Sequence, residues 1–310
     1  MEHRPHPPSS GTKKCHGASM ISHLNSTPQP PKRAVIIGSA GFVGSAIVKR
    51  LQGDNIPTLS LSRAELDLLS PEASNILAGL LKPTDAVVAV AAIAPVKSAR
   101  MLSDNMRLVA NVVEALGRAK VAHVINISSD AVYADGPLPL TEQSPMTPGS
   151  LHGAMHLARE LAFGAEANVP LIHLRPTLIY GSSDPHNGYG PNRFRRLADA
   201  GEDIVLFGEG EERRDHVHVD DVAELIFQAL LHKSVGALNV VTGQVHSFAD
   251  IAKAVVAMSG KQIPIRISPR IGAMPHNGYR PFDNTACKSA YPQFNFTPLQ
   301  DGLRRAALRL

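Results

Sequence analysis

The sequence predicts an α/β protein built on a doubly wound parallel sheet, with a smaller α/β region interleaved into it. From Arg33 onward, short β-rich runs alternate with amphipathic helical stretches, which indicates parallel strands joined by helices. The runs are apolar throughout, and this is typical of strands covered by helices on both faces. After residue 180 the chain becomes rich in Gly, Pro and Asn, which marks the start of the second region.

The predicted elements follow one another in a regular order. The strands are expected at 34–37, 58–61, 86–90, 124–127 and 171–174, and the helices at 42–51, 71–81, 104–117 and 152–168. We expect residues 33–180 to form the larger domain, which 215–243 rejoins. The smaller region then comprises 181–214 and 244–310.

The net charge is concentrated at the start of the chain. The formal charge is +4, and residues 1–33 alone account for it with the cations Arg4, Lys13, Lys14, Lys32 and Arg33 against Glu2. The remainder is balanced, which argues against a nucleic-acid partner. The Pro-, Ser- and His-rich residues 1–32 have too little apolar surface to pack, so we predict a disordered tail there.

The composition also bears on location. No apolar run is long enough to span a membrane. The two cysteines, Cys15 and Cys287, lie at opposite ends of the chain, which fits neither a disulfide framework nor a metal-ligand pair. We therefore expect a cytoplasmic protein with no membrane partner and no metal.

A glycine-rich turn joins the first predicted strand to the first helix. Gly38, Gly41 and Gly44 have the spacing G-x-x-G-x-x-G. In such a turn the glycines allow a tight bend, a close backbone approach to a diphosphate and close packing of helix on strand. This predicts a dinucleotide cofactor held by Gly38, Ala40, Gly41, Phe42, Val43 and Gly44.

The end of the second strand indicates which dinucleotide is bound. An acidic residue there would bind a ribose 2′-hydroxyl, but Ser62 and Arg63 stand in its place. A hydroxyl beside a guanidinium favours a 2′-phosphate, so we expect NADP(H) to be preferred and NAD(H) to be possible. Alternatively, Arg63 only stacks on the adenine. Asp67 either accepts a hydrogen bond from the adenine amino group or caps the next helix.

With these motifs in place, the chain resembles the extended short-chain dehydrogenases/reductases, or NAD-dependent epimerase/dehydratase family, of the type that modifies nucleotide sugars. The resemblance runs from Ala34 to about Gly302 and rests on the glycine turn together with Ala91-Ala92, Ser128–Tyr133, Arg175–Gly181 and Arg214–Val222. It implies a Rossmann fold, a nucleotide-sugar substrate and a homodimer. It also implies that Ala91 and Ala92 contact the cofactor.

The resemblance assigns substrate-facing roles as well. It implies that Ser129 is the catalytic hydroxyl on the reacting sugar oxygen and that Arg214 reaches the substrate diphosphate. Asn192 lies where the family often has a substrate-binding amide. Further substrate-binding candidates are Asp130, Tyr133, which is also a possible alternative proton donor, and Arg280.

The chain departs from this family at the Tyr-x-x-x-Lys pair. His152 stands at the tyrosine position and His156 at the lysine position. In one interpretation His152 is itself the acid/base, because imidazole titrates near pH 6.5 without a cationic neighbour, and His156 contacts the cofactor ribose. In a second, the site binds ligands without efficient turnover. In a third, the i, i+4 histidines bind a metal, although no third ligand is evident.

Together these observations predict an NAD(P)-dependent nucleotide-sugar epimerase or keto-reductase that works by reversible hydride transfer, with His152 in place of the usual tyrosine. Alanine at position 131, where a dehydratase has glutamate, argues against dehydration. Two alternatives stay open: a catalytically impaired NAD(P)- or sugar-nucleotide-binding protein, and an oxidoreductase of a non-sugar carbonyl.

Overall fold

A seven-stranded sheet forms the centre of the molecule in the computed structural model, which describes residues 21–307 apart from residue 137. The strands are β1 (Ser22–His23), β2 (Arg33–Ile37), β3 (Thr58–Leu61), β4 (Asp85–Ala89), β5 (His123–Ile127), β6 (Leu171–Pro176), β7 (Leu178–Tyr180), β8 (Ile204–Phe207), β9 (Arg213–His218), β10 (Ser234–Val240), β11 (Val245–Ser247), β12 (Ile265–Ser268) and β13 (Tyr279–Arg280). The helices are α1 (Phe42–Gly53), α2 (Ala73–Leu80), α3 (Ala99–Ala119), α4 (Leu151–Glu166), α5 (Pro191–Ala200), α6 (Val219–Leu231), α7 (Phe248–Ser259), α8 (Thr285–Ala290) and α9 (Leu299–Ala307).

The strand order in the large sheet is β1-β10-β6-β5-β4-β2-β3, and β2 to β6 and β10 run parallel. The chain moves from β2 outward to β3 and then crosses back to β4, on the other side of β2. The carboxyl ends of β2 and β4 therefore meet at a topological switch point, where sheets of this kind bind their ligands.

Both faces of the large sheet are covered, as the apolar strands predicted. Along β2, Ala34 and Ile36 join the core formed with α1 and α6, whereas Val35 and Ile37 join the core formed with α2 and α3. Because neighbouring side chains of a strand point to opposite faces, a strand buried on both sides is mostly apolar, and its few polar side chains, such as Asn126 and Arg175, are hydrogen-bonded inside the protein. The doubly wound α/β fold is confirmed.

Part of the predicted tail is ordered, which corrects its boundary at residue 32. Ser22 and His23 pair antiparallel with the start of β10, and Asn25 N donates to His232 O at 3.0 Å. A hydrogen bond of 2.9 Å also joins His23 Nδ1 to Ser234 Oγ. Backbone pairing along the sheet edge orders this segment, which its low hydrophobicity did not reveal. Residues 1–20 lie outside the described residues.

The smaller region holds a four-stranded sheet of β7, β9, β11 and β13 and a two-stranded sheet of β8 and β12. Its core packs Phe194 of α5 against Phe248 and Ile251 of α7. Strands β7 and β9 both belong to this smaller sheet, so the chain changes sheets near residues 177 and 219. The predicted boundaries were 180 and 215. No helix in the described part of the chain is long and apolar enough to cross a membrane.

Candidate active site

The glycine turn after β2 is shaped by close backbone contacts. Gly38 has φ +95°, and its N–H donates to Leu61 O at 2.7 Å. A Cβ on Gly44 would lie 2.1 Å from Gly38 O, so only glycine lets α1 start this close to the strand. Gly41 precedes the helix and has no side chain to cap it. The turn thus leaves backbone N–H groups for an anion, which fits a dinucleotide diphosphate.

The start of α1 joins the turn to the smaller region. The ring of Phe42 lies 3.3 Å from the position of a Cβ on Gly181, which is the first residue after β7. Val43 is partly buried against the core shared by α1 and α6, whereas Ala40 and Gly41 are exposed. The predicted cofactor turn and the predicted substrate region are therefore in contact.

The end of β3 carries charged groups of both signs. Arg63 is 80% exposed in its side chain and lies 3.5 Å from the Asp67 carboxylate. Asp67 also accepts a hydrogen bond from Leu69 N at 3.0 Å, which closes a local turn and does not cap the next helix, because α2 begins only at Ala73 with Glu72 as its N-cap residue. Sequence reasoning missed Glu65, whose carboxylate accepts from Ser62 N at 2.8 Å. Hydrogen bonding by the Ser62 side chain, followed by that of its backbone N–H, lowers the pKa of Glu65.

The end of β4 lies directly beside the glycine turn. A Cβ on Gly38 would come within 2.8 Å of Ala91 N, whereas Ala92 beyond it is exposed. The guanidinium of Arg159, on α4, donates hydrogen bonds to Ala91 O and Ala89 O, both at 2.8 Å. Sequence reasoning missed Arg159, although its place three residues after His156 puts it close to that helix face.

The catalytic hydroxyl predicted at Ser129 lies at the carboxyl end of β5. Its Oγ donates to Asp130 Oδ1 at 3.2 Å and accepts from Ala131 N at 3.1 Å. The first turn of α4 packs tightly here, since a Cβ on Gly153 would lie 2.1 Å from Ala131 O. This contact brings His152 next to the segment that holds Ser129.

His152 and His156 form a pair on one face of α4. Their ring centroids are 4.7 Å apart in an edge-to-face arrangement, and each Nδ1 is buried with no hydrogen-bond partner among the described residues. Burial lowers the pKa of His152, and the Asp130 carboxylate offsets part of that shift. The pKa of His156 falls well below 6.5 through burial, assisted by His152 and Arg159. Both imidazoles are therefore neutral at pH 7.

Two of the predicted substrate residues face the protein interior instead. Tyr133 is 2% exposed, and its hydroxyl donates to Asn239 Oδ1 and accepts from Arg175, both at 2.7 Å. Burial raises its pKa to about 12, which also argues against the alternative proton-donor role. Asn192 accepts from Gly181 N at 3.1 Å and donates to Ile179 O at 3.3 Å, so it holds the loop after β7.

Arg280 and Asp130, both predicted as substrate ligands, bind each other. Arg280 is 2% exposed, its Nε lies 3.3 Å from Asp130 Oδ2, and it also pairs with Asp135. The pair fixes the backbone after Ser129, since Arg280 donates to Asp130 O at 2.8 Å. Sequence position placed both residues near the site but could not show that they neutralise one another.

Arg214, the predicted diphosphate ligand, belongs to a cluster with a second arginine. Arg214 Nη1 lies 3.4 Å from one oxygen of Glu212, and Arg270 Nη1 lies 3.5 Å from the other. The Nε atoms of both arginines are buried without a hydrogen-bond partner among the described residues. The two guanidiniums exceed the single carboxylate in charge, so the cluster suits an anion. Sequence reasoning missed Arg270.

The structure adds nothing to the metal interpretation of the histidine pair. Within the described residues, no group of three or more His, Cys, Asp or Glu side chains is placed to hold a metal ion.

Comparison with known proteins agrees with this geometry. The profile of the NAD dependent epimerase/dehydratase family matches residues 34–241. A UDP-glucose 4-epimerase of Mycolicibacterium smegmatis is 30% identical in an alignment 273 residues long that covers 77% of this chain and 87% of that protein. A dTDP-4-dehydro-6-deoxy-D-allose reductase of Streptomyces bikiniensis is 26% identical in an alignment 285 residues long that covers 77% of this chain and 84% of the relative.

Solved structures show the same fold. The UDP-glucose 4-epimerase of Thermus thermophilus, solved in complex with NAD, superimposes with a TM-score of 0.78 and 24% identity over 89% of this chain and 97% of that one. The family profile covers both the glycine turn and the Ser129–His152 segment, and it ends at the last strand of the large sheet. This chain belongs to the NAD-dependent epimerase/dehydratase family.

Proposed function

We propose that the protein is an NAD(P)-dependent nucleotide-sugar epimerase or keto-reductase that uses His152 to move the substrate proton. The observation that carries this proposal is the edge-to-face pair of His152 and His156 imidazoles beside Ser129, whose Nδ1 atoms have no hydrogen-bond partner among the described residues. They lie on the helix that also supports the end of β4, next to the glycine turn.

The bound nicotinamide dinucleotide would supply or accept the hydride. The residues of the chain handle the proton and the substrate oxygen. Ser129 turns its hydroxyl from Asp130 toward the sugar oxygen, and the neutral His152 takes the proton from that oxygen when a carbonyl forms. In the reverse direction the protonated imidazole returns it. His156, one turn along α4, would offer its Nδ1, which has no partner in the described part of the chain, to a hydroxyl of the cofactor ribose.

The histidine accounts for catalysis without a nearby lysine. A phenol of pKa about 10 needs a cationic neighbour to lose its proton near neutrality, whereas imidazole is already a base there. Burial lowers the pKa of His152 below 6.5, so the base form persists to mildly acidic pH. Activity limited by His152 as a base therefore stays level through neutral pH and falls only below its lowered pKa.

The substrate diphosphate is assigned to the Arg214 and Arg270 cluster. Both side chains keep a buried Nε without a partner among the described residues, and they share the single carboxylate of Glu212. We expect Arg270→Ala to raise KM for the nucleotide sugar while the dinucleotide Kd stays unchanged. An unchanged KM would remove Arg270 from the site.

The preference for NADP(H) is a separate part of the proposal and rests on Arg63. Its guanidinium is exposed at the end of β3 and pairs only loosely with Asp67. We expect Arg63→Ala to weaken NADPH binding much more than NADH binding. Equal weakening would assign Arg63 to stacking on the adenine, and Glu65 at the Ser62 amide would then favour a free 2′-hydroxyl.

The proposed homodimer follows from the family resemblance. Leu161 on α4 is 63% exposed, and we propose that this apolar side chain lies in the contact. Light scattering of wild type and Leu161→Arg tests it: the wild type should run as a dimer and the variant as a monomer.

The experiment that tests the function is a turnover assay against a panel of nucleotide sugars, with both dinucleotides supplied in oxidised form for epimerisation and in reduced form for keto-reduction. His152→Phe should lose activity at least a hundredfold and still bind the dinucleotide. His232→Phe is the matched control, because it removes an imidazole at the end of α6, far from this site. Tight dinucleotide binding without turnover on any sugar would favour a binding protein. A fully active His152→Phe would refute the acid/base role.

A further inference from the structure

A buried cation that has no anionic partner among the described residues lies under the proposed cofactor site. Arg159 is 3% exposed, and its donors reach three neutral oxygens: Asn126 Oδ1 at 2.5 Å, Ala91 O at 2.8 Å and Ala89 O at 2.8 Å. None of the carboxylates that the structure describes forms an ion pair with it. Burial lowers the pKa of Arg159 to about 10, so it stays charged at neutral pH.

A charge in this position is costly. Burying a guanidinium without a counter-ion loses its hydration, and neutral carbonyls return only part of that loss. A buried arginine is ordinarily paired with a carboxylate. Arg175, another buried arginine, forms such a bidentate pair with Glu160, at 2.6 and 2.8 Å. Arg159 has no such partner among the described residues.

Support of the backbone alone does not require the charge. The same segment is held two residues further on by a neutral side chain, because Asn105 accepts from Ile93 N at 2.9 Å and donates to Ile93 O at 3.0 Å. An amide is therefore sufficient to fix the backbone here, and the positive charge of Arg159 needs another explanation.

The position of the charge suggests that explanation. Arg159 holds Ala91, and the backbone of Ala91 touches the glycine turn, where a Cβ on Gly38 would lie 2.8 Å from Ala91 N. The interior between them has a low dielectric, so the charge acts over this distance with little screening. An anion that settles on the turn would become the missing counter-charge.

We propose that Arg159 is a positioning residue that supplies the fixed positive charge for the dinucleotide diphosphate, in addition to holding the end of β4. The inference concerns cofactor binding only. It does not depend on His152 as the acid/base, and its test does not use turnover.

The test neutralises the charge without removing the arginine. Asn126→Asp places a carboxylate of the same shape against the Arg159 Nε atom. We expect the variant to be at least as stable as wild type in thermal unfolding, because it gains an ion pair and because the neutral His173 imidazole, whose Nδ1 lies 3.0 Å from the Asn126 amide nitrogen, can donate to the new carboxylate. At the same time its Kd for NADPH and for ADP-ribose should rise about tenfold. Adenosine, which lacks the diphosphate, should bind within twofold of wild type.

Two further variants separate charge from packing. Arg159→Gln should weaken ADP-ribose about tenfold but leave adenosine unchanged, and Arg159→Lys should stay within about threefold of wild type because the charge remains. If Asn126→Asp is stable and binds ADP-ribose as tightly as wild type, the proposal is wrong. Equal losses for adenosine and ADP-ribose would also overturn it, since they indicate a structural role. The affinity of Asn126→Asp for ADP-ribose tests the proposed charge effect even if the Arg159 variants fail to fold.

Discussion

Replacing Gly44 by alanine tests the packing of the first helix on the first strand. Gly44 is the third glycine of the turn, and its added methyl would lie 2.1 Å from Gly38 O and 2.9 Å from Gly38 C. These are backbone atoms, so no flexible side chain can move aside to make room.

The size of the effect follows from the overlap. A carbon and a carbonyl oxygen normally stay about 3.3 Å apart, so the helix and the turn must separate by about 1 Å. Overpacking of this kind typically costs about 1–3 kcal/mol of folding free energy. The shift would also break the hydrogen bond from Gly41 N to Gly38 O, now 3.2 Å long. A misplacement of about 1 Å in a binding turn weakens function on the order of a hundredfold.

The assay measures thermal unfolding and the Kd for NADPH in Gly44→Ala and in a matched control. Gly53→Ala changes the last residue of the same helix, where a Cβ would meet nothing within 4 Å. The control should be neutral or slightly stabilised, since alanine favours a helix over glycine. Wild-type NADPH affinity in Gly44→Ala would refute the assignment of this turn to the cofactor.

The remaining predictions concern catalysis, pH and the buried ion pair. Gly153→Ala should lower kcat for the nucleotide sugar, because the added Cβ would push α4 away from the segment that holds Ser129. Gly164→Ala is the control in the same helix, since its Cβ would enter open space and should leave kcat unchanged. Equal kcat values in the two variants would contradict this packing. Burial lowers the pKa of His216 to about 3. Between pH 6.5 and pH 3 the His216 imidazole therefore binds a proton in the unfolded chain but not in the folded protein. The free energy of unfolding falls as the pH drops through this range. His216→Phe should make urea-unfolding free energies less steep in that window, and an unchanged slope would show that the imidazole is not buried neutral. Glu160→Gln should cost about 3–5 kcal/mol in urea unfolding because it leaves the Arg175 charge buried and unpaired; a loss under about 1 kcal/mol would show that water reaches the pair.

The parts of the fold that depend on local pattern could be predicted from the sequence. Apolar runs bounded by helical stretches were enough to predict β2 to β6 and the helices between them, because a doubly covered strand has no polar face. The ordered segment at 22–23 was missed. It is held by backbone hydrogen bonds to β10 and by His23, and neither contact has a signature in composition.

The order of motifs along the chain could not predict how the side chains of the candidate site are oriented. It predicted Tyr133, Asn192 and Arg280 as substrate-binding residues; Tyr133 and Arg280 lie beside Asp130, after the carboxyl end of β5, and Asn192 holds the loop after β7. Their polar groups are nevertheless bound within the protein: Tyr133 contacts Arg175, Asn192 contacts the backbone, and Arg280 contacts Asp130. Whether a polar side chain faces a ligand or a partner depends on tertiary packing, which motif position does not encode.

The residues that sequence reasoning missed are buried cations and local carboxylates. Arg159 and Arg270 belong to no sequence motif, so their roles can be inferred only from their neighbours in the fold. Arg159 is surrounded by three neutral oxygens, and Arg270 shares the Glu212 carboxylate with Arg214. A charged residue on the inner face of a predicted helix is the one signal that would have indicated Arg159.

In the proposed mechanism His152 takes a proton from the sugar hydroxyl while a hydride passes from the sugar to the oxidised nicotinamide. Single-turnover absorbance at 340 nm, recorded from pH 5 to pH 9 with the oxidised dinucleotide and the best nucleotide sugar, follows this oxidation. We expect a rate that is level at neutral pH and falls through an inflection below 6.5, with both the amplitude and the inflection lost in His152→Phe. A variant that keeps the wild-type rate and the same inflection would contradict it.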